Sequence, residues 1–254
     1  PAKRVSCVSP RDEQFSTTRL PFSPYLLGAL LGDGGLSRPR GVKFFNMDAS
    51  VIERVRSHVA ALEGRLQQYD AVSWGVIGTK TGHNPVLNIL RDLGLSGHDA
   101  HSKFIPESAF GLSRAERMEL AAGLVDTDGG TDSYSSVSYR LASGFVRLIR
   151  SLGGKATLTH RTVPETWAVY WRMNERLPLS LPRKQSPSCA GRGIDYIRRI
   201  CRGVEYTGEH ECGDLEVEHL AHCYVAYDHV IVSNSKTETA LAHDVQLATG
   251  MFSE

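Results

Sequence analysis

Two stretches of this chain carry one pattern, and together they limit the folds it can take. Leu26-Leu27-Gly28-Ala29-Leu30-Leu31-Gly32-Asp33-Gly34 and Ala121-Ala122-Gly123-Leu124-Val125-Asp126-Thr127-Asp128-Gly129 are each an apolar helical run closed by a carboxylate and a glycine. Gly28 and Gly32 are four residues apart, and Gly123 and Thr127 hold the same places in the second run. Residues at that spacing share a helix face, so each helix offers a smooth stripe. Such stripes let two helices approach closely, a device best documented in membranes. One run alone is ordinarily a core helix and its stop signal. Two runs with glycine and aspartate in matching places predict a helix pair that brings Asp33 and Asp128 together. Carboxylates so placed repel unless a cation or proton lies between them. Mg²⁺, a hard ion that takes oxygen ligands, is the natural occupant.

The paired runs resemble the signature of the LAGLIDADG homing endonucleases. Leu20-Pro21-Phe22-Ser23-Pro24-Tyr25 resembles the family's lead-in to the first helix. Asn84-Pro85-Val86-Leu87 through Leu93-Gly94-Leu95, then Lys103-Phe104-Ile105-Pro106, resembles the segment between the helices, so the resemblance spans roughly residues 18–186. It implies an α+β fold of two αββαββα-like halves, residues 20–111 and 113–186, related by a pseudo-twofold axis. The curved, saddle-shaped sheets would lie in the major groove of double-stranded DNA, which admits a two-stranded ribbon.

By the same resemblance the activity is Mg²⁺-dependent phosphodiester hydrolysis by a monomer at a long recognition site. Asp33 and Asp128 would hold metal, with the carbonyls of Gly32 and Thr127 as neighbouring ligands, and each site would cut one strand. The family also uses a lysine near each site to polarise water or steady developing charge. Lys103 matches the first, and Lys184, in Leu181-Pro182-Arg183-Lys184, the second. The alternative for either lysine is an ordinary solvated or phosphate-contacting residue. Leu31 stands where the second copy has Asp126, a position that does not hold metal. Candidates for base readout are Arg38, Arg40, Lys43, Gln67, Gln68, Arg161 and Arg172, since Arg and Gln suit G and A edges. Half or more of such contacts go to phosphate.

The composition is that of a globular chain, with 41% hydrophobic residues and a net charge of +1. That near-neutral total hides a split. Residues 139–202 hold thirteen Lys/Arg against Glu165, Glu175 and Asp195, whereas residues 203–235 hold seven acids and no Lys or Arg. A basic run by itself is most often a solvated face; beside the paired motif it fits a polyanion. No apolar run approaches the roughly 20 residues a bilayer span needs, so no membrane partner is expected. Five cysteines without C-x-x-C spacing fit a reducing cytoplasm rather than a disulfide framework or zinc site. The chain opens on Pro1 rather than Met, which points to a piece of something longer.

Local patterns place the elements. Residues 1–19 are polar and aperiodic and read as linker, or as the end of a missing upstream splicing half. Ser23 to Gly32 is the first helix, and Gly41–Asn46 a strand. Asp48 caps a helix over Val51–Leu62. Arg65–Ala71 and Val72–Gly78 read as strands and Asn84–Leu93 as a short helix. Ser113-Arg114-Ala115-Glu116 opens the second motif helix with a capping box. A loop at Thr131–Ser136, a helix at Tyr139–Leu152, and strands at Ala156–Arg161 and Thr166–Met173 then repeat the order.

Residues 187–234 change character. Asp214–Glu218 alternates as a strand does, and Tyr224–Val232 is apolar and β-branched. An Asn-Ser pair after a strand is ordinarily a turn. With His222-Cys223-Tyr224-Val225-Ala226 and Asp214 upstream, Asn234-Ser235 resembles the C-terminal splicing motifs of inteins, which implies the last strands of a Hint domain. The Asn234 amide would attack its own backbone carbonyl, Ser235 would be the acyl-accepting nucleophile, His222 the proton donor or acceptor, and Asp214 an assistant in proton transfer. Inteins usually carry His before the terminal Asn; here it is Ser233. No starting nucleophile or Thr-x-x-His segment appears before residue 20, so splicing would need an N-terminal intein half as partner. Residues 235–254 then read as a host stub. Ser235-Lys236-Thr237 and the helical run after it suggest the end of a phosphate-binding loop of a terminase-like ATPase, with any polar helix start as the alternative. Three rivals stay open: a DNA-binding relic that no longer cuts, a splicing module whose nuclease part is filler, and a transcriptional regulator of similar fold.

Overall fold

The computed structural model describes residues 6–8, 20–38, 40–79, 83–185, 198–200, 208, 223–226 and 230–233. The chain divides into two compact units, residues 12–193 and residues 1–11 with 194–254. In the second unit, β1 (Ser6–Val8) pairs antiparallel with a strand at Arg198–Ile200, and Cys223–Ala226 pairs antiparallel with Val230–Ser233. The reading of residues 1–19 as linker therefore misses a strand. Three residues are too short for their alternation to show in sequence.

The first unit starts with α1 (Pro24–Asp33), whose residues from Tyr25 to Leu31 are all buried. A helix apolar on every side belongs at the centre of a core. The chain continues through β2 (Gly34–Gly35), β3 (Val42–Phe45), α2 (Ala49–Ala60), β4 (Gly64–Gln68), β5 (Ser73–Gly78) and α3 (Pro85–Asp92), the expected αββαββα order. A 3-10 turn at Glu107–Gly111 leads to α4 (Arg114–Asp128). Its capping box is complete: Ser113 Oγ accepts from the Glu116 N–H, and the Ser113 N–H donates to the Glu116 carboxylate. The second half then runs β6 (Ser133–Ser136), α5 (Tyr139–Ser151), β7 (Lys155–Thr162) and β8 (Glu165–Arg172), ending in a 3-10 turn at Pro182–Lys184.

This half departs from expectation in three places. Thr131–Ser136, read as a loop, contains β6. The counterpart of β2 shrinks to a single bridge between Gly129 and Tyr134, and a 3-10 turn stands where the first half has α3. Ser133-Tyr134-Ser135-Ser136 hides its strand because three of its four residues are serines.

The sheets are antiparallel, in the orders β2-β3-β5-β4 and β6-β8-β7. Amphipathic α2 buries Val51, Ile52, Val55 and Val59, and α5 buries Leu141, Phe145, Leu148 and Ile149. Each sheet thus has one face on the helices and one open face. Among the described residues no helix is long and apolar enough to cross a membrane.

The two halves meet at α1 and α4, backbone against backbone. A Cβ on Gly28 would stand 2.3 Å from the Leu120 carbonyl oxygen and 2.9 Å from the Leu124 nitrogen. A Cβ on Gly123 would stand 2.3 Å from the Tyr25 oxygen and 2.8 Å from the Ala29 nitrogen. Each glycine faces the residue three before and one after its counterpart, which is the signature of a local twofold. At the helix ends Gly34 and Gly129 are extended, with φ of −81° and −92°, so a helix stop by left-handed glycine is not what they supply. They are needed for space: a Cβ would lie 2.1 Å from the Leu30 oxygen or 2.6 Å from the Val125 Cα.

In an open helix, Gly→Ala gains up to about 1 kcal/mol. At Gly28 the sign should reverse, because the clashing atoms belong to backbone. Gly28→Ala is expected to cost about 3 kcal/mol in denaturant unfolding. Gly41→Ala, with nothing within 4 Å of its new Cβ, should be near neutral.

Candidate active site

The helix pair ends where both motif carboxylates emerge. Asp128 Oδ2 lies 3.3 Å from where a Gly32 Cβ would be, and Thr127 Oγ1 lies 2.0 Å from it. Gly32 and Thr127, the matching small positions, are thus packed against each other with the two aspartates beside them. Asp33 is half-buried, and Asp128 is open to solvent.

The surroundings of the two carboxylates differ. The Asn46 amide donates to Asp33 Oδ2 at 2.6 Å. Asn46 itself is fixed, since its Oδ1 accepts from the Asp48 N–H at 2.7 Å and its carbonyl accepts from the Trp74 indole at 3.2 Å. Burial raises the Asp33 pKa against the pull of Asn46, Lys103 and Lys184. Burial of the carboxyl, then the charge of Asp33, push Asp128 up to about 6. Because the residue as a whole stays open, solvent screens part of that shift.

Both predicted lysines are present, and each serves the carbonyl just before its half's aspartate. Lys103 Nζ donates to the Gly32 oxygen at 2.7 Å. Lys184 Nζ donates to the carbonyls of Thr127 (3.0 Å), Asp126 (2.7 Å) and Val125 (3.0 Å). The carbonyls of Gly32, Asp126 and Thr127 are end-of-helix groups without an intrahelical donor, whereas the Val125 carbonyl also accepts from the Gly129 N–H at 3.0 Å. Among the described residues neither lysine forms an ion pair with Asp33 or Asp128. Burial brings Lys103 down to about 8 despite the charges of Asp128 and Asp33, and it lowers Lys184 as well.

Each lysine segment is tied to the other half. The Lys103 carbonyl accepts from Ser138, the N-cap of α5, at 2.7 Å. Arg183, beside Lys184, donates to Asp48, the N-cap of α2, at 2.8 Å. The two N-caps are counterparts, so this cross-tie obeys the twofold too.

Asp126 has a role that its place in the motif did not announce. It is 1% exposed, and accepts from the Tyr25 hydroxyl at 2.8 Å and the backbone N–H groups of Ser180 (2.8 Å) and Leu181 (3.2 Å). It thereby pins the segment carrying Lys184 against both motif helices. Arg54 supports the same segment through the Pro178 carbonyl at 2.6 Å, and also holds Glu119. Leu31 needs no such role, because Lys103 arrives by the segment between the halves.

Strand register sorts the DNA candidates. Lys43 and Gln67 both pair with Gly75 and lie on the open face of the first sheet. Arg161 and Arg172 lie on the open face of the second, with Tyr170 and Thr157. Gln68 does not belong with them. It pairs with Trp74 on the helix side, because neighbouring residues of a strand face opposite ways. Arg65, on the open side across from Ile77, takes its place. Alternation within β4 would have shown this. Tyr69 also lies over the open face, its hydroxyl 2.4 Å from where a Gly75 Cβ would be. Arg38 and Arg40 are exposed in the loop before β3. His222, Asn234 and Ser235 lie outside the described residues.

Among the described residues no three His, Cys, Asp or Glu side chains cluster as a metal site. A cation here would rest on two carboxylates and backbone oxygens. The fit lies in the donor chemistry: all are hard oxygens, and two neighbouring carboxyls are held uncomfortable when both are charged.

No protein-family model matches the chain. A protein named as the replicative DNA helicase DnaB, from Mycobacterium intracellulare, is 26% identical over 236 residues, covering 84% of this chain. The chain spans 35% of that relative's length. The fold resembles solved structures of the homing endonuclease I-DmoI over 58% of the chain. A complex of I-DmoI with DNA and Mn is 14% identical, with 87% of that chain covered and a TM-score of 0.43. A complex with DNA and Ca is 13% identical, with 81% covered and a TM-score of 0.43.

The raised Asp128 pKa has a stability consequence. Its contribution is full below about pH 4 and is lost as pH rises through about 6. Asp128→Asn removes that loss. Without divalent ions the variant is expected to exceed the parent by about 1 kcal/mol near pH 7.5, screening included, and to match it near pH 4. Urea unfolding at the two pH values checks this.

Proposed function

We propose that residues 20–186 form a site-specific DNA endonuclease that hydrolyses one phosphodiester on each strand with Mg²⁺. One observation carries the reading. Two motif aspartates, distant in sequence, stand together at the foot of two helices locked backbone to backbone, each with a lysine on the preceding carbonyl. Asp33 and Asp128, with the carbonyls of Gly32 and Thr127, would hold the metal. Bound there, it would supply an activated water and charge neutralisation at the leaving oxygen.

The chain's own groups do the rest. Asn46 fixes the rotation of Asp33. Lys103, with a pKa near 8, keeps an exchangeable proton and a positive charge beside the site at neutral pH. The open sheet faces carry Lys43, Arg65, Arg161 and Arg172 for phosphates and base edges. Both sites belong to one chain, so a monomer suffices for a cut through both strands, and the halves need not read the same sequence.

A second activity is proposed for residues 187–234, the C-terminal splicing segment. The antiparallel hairpin of Cys223–Ala226 with Val230–Ser233 supports it. Its Cys223–Ser233 pair closes the ladder at the residues next in sequence to His222 and Asn234. The helicase relative, of which the chain spans only part, favours a helicase rather than a terminase as the host of the stub at 235–254.

Supercoiled plasmids carrying a randomised insert, incubated with the chain and Mg²⁺, test the nuclease. Linear product from a recurrent site is expected. Asp33→Asn and Asp128→Asn should each lower the linear yield at least 100-fold and leave nicked circles. Wild-type protein that retains a specific DNA and never cuts it would leave only the binding relic. For splicing, a precursor supplied with an N-terminal intein half should yield ligated flanks by mass spectrometry. Asn234→Ala should abolish them.

A further inference from the structure

The first half holds its aspartate with a single residue that does two jobs. Asn46 Oδ1 accepts the Asp48 N–H at 2.7 Å, which shapes the turn into α2. Its amide donates to Asp33 Oδ2 at 2.6 Å. The second half has no asparagine in that place. Register identifies what stands there: Gly34 pairs with Phe44 and Gly129 with Tyr134, so Phe44 and Tyr134 are counterparts. Two residues on, Asn46 corresponds to Ser136.

Ser136 performs the first job, since its hydroxyl accepts the Ser138 N–H at 3.1 Å. It is too short for the second. Tyr134 differs from Phe44 by one hydroxyl. Both residues are 0% exposed, so the ring is core in each half. The Tyr134 hydroxyl is a different matter, because it is buried with no hydrogen-bond partner in the structure. Ser136, its polar neighbour, does not meet hydrogen-bond geometry. Natural cores rarely leave such a group unpaired, and a phenylalanine was available to the fold, as Phe44 shows. The Gly129–Tyr134 bridge sets Tyr134 beside the residue that follows Asp128, and the charge of Asp128 weighs on the hydroxyl more than that of Asp33.

The geometry points to Tyr134 as the positioning residue of the second site. Its hydroxyl donates to the Asp128 carboxylate when a divalent cation is bound, doing for Asp128 what the Asn46 amide does for Asp33. The two jobs of one asparagine are divided between Ser136 and Tyr134. No covalent step is involved; the hydroxyl orients a carboxylate. The inference rests on the metal-dependent reading above.

Tyr134→Phe is the test, on the full chain, with Mn²⁺ alone as probe. The ring stays and Phe44 shows that the fold accepts it. Free Mn²⁺ followed by electron paramagnetic resonance should show affinity lowered roughly tenfold or more, the usual effect of removing a partner that orients a metal ligand. Thermal unfolding without metal should shift upward, since an unpaired buried hydroxyl is gone. A merely structural tyrosine would leave Mn²⁺ affinity unchanged, and that result overturns the proposal. The effect should persist in an Asp33→Asn background and vanish in Asp128→Asn. The reverse pattern would place the hydroxyl at the other aspartate and overturn it too. Should wild-type chain bind no Mn²⁺, the nuclease reading falls and this inference with it; should it bind and Tyr134→Phe bind equally, the inference alone falls.

Discussion

Everything in residues 12–193 hangs on the contact between two glycine-bearing helices. Gly28 and Gly123 let peptide groups of α1 and α4 touch where side chains ordinarily keep helices 8–10 Å apart. Contact that close fixes both the separation of the helix ends and their relative rotation. The carboxylates grow from those ends, and the first strand of each half follows within a few residues. Aspartates on ordinary packed helices would stand apart by the thickness of two layers of side chains. With none between them, Thr127 fills the last gap by folding its hydroxyl back onto Gly123 O at 2.9 Å and Leu124 O at 3.0 Å.

The frame is symmetric and its fittings are not. Helices, N-caps, lysines and helix-end carbonyls obey the twofold, including the cross-ties from Lys103 to Ser138 and from Arg183 to Asp48. The lysines arrive by different routes. Lys103 comes from the segment that joins the halves, and one carbonyl suffices to seat it. Lys184 comes at the end of the second half, where no helix matches α3, and it takes three carbonyls with Asp126 clamping the chain behind it. The asymmetry of the motifs, Leu31 against Asp126, follows from that topology. Lys103 rides on a segment that both halves hold, and Lys184 on one that buried Asp126 anchors.

Much of the frame was legible in the sequence because its signals are periodic or paired. Matching Gly and Asp positions announced the helix pair, Ser113 and Glu116 announced the start of α4, and the apolar spacing of Val51, Val55 and Val59 announced α2. The site was legible where the two copies agree. Asn46 was missed because it stands as the last residue of the strand expected over Gly41–Asn46, where nothing in the pattern pairs it with Asp33. The role of Asp126 was hidden because its partners, the Tyr25 hydroxyl and the backbone N–H groups of Ser180 and Leu181, all lie more than fifty residues away in sequence. No local pattern advertises a partner so distant, and none at all advertises a backbone donor. Gln68 was grouped with Gln67 by chemistry, although strand alternation separates them. Serine-rich β6 was read as loop, because its one core residue, Tyr134, has no neighbour to alternate with.

The site also shows why such a helix pair must be rigid. Burial and the charge of Asp33 raise the Asp128 pKa, burial raises that of Asp33, and a lysine is buried until its pKa falls to about 8. Each of these arrangements opposes folding in the free protein. A softer scaffold would relax them, rotating Asp128 outward and letting water reach Lys103. Peptide groups in contact cannot slide without colliding, so the strain stays where it forms. That is the condition for a site whose groups gain most when a cation and a polyanion arrive. Charges kept apart from their best partners in the free state have the most to gain in the bound one. The smooth stripes on α1 and α4 are therefore as much a part of the site as the aspartates at their ends.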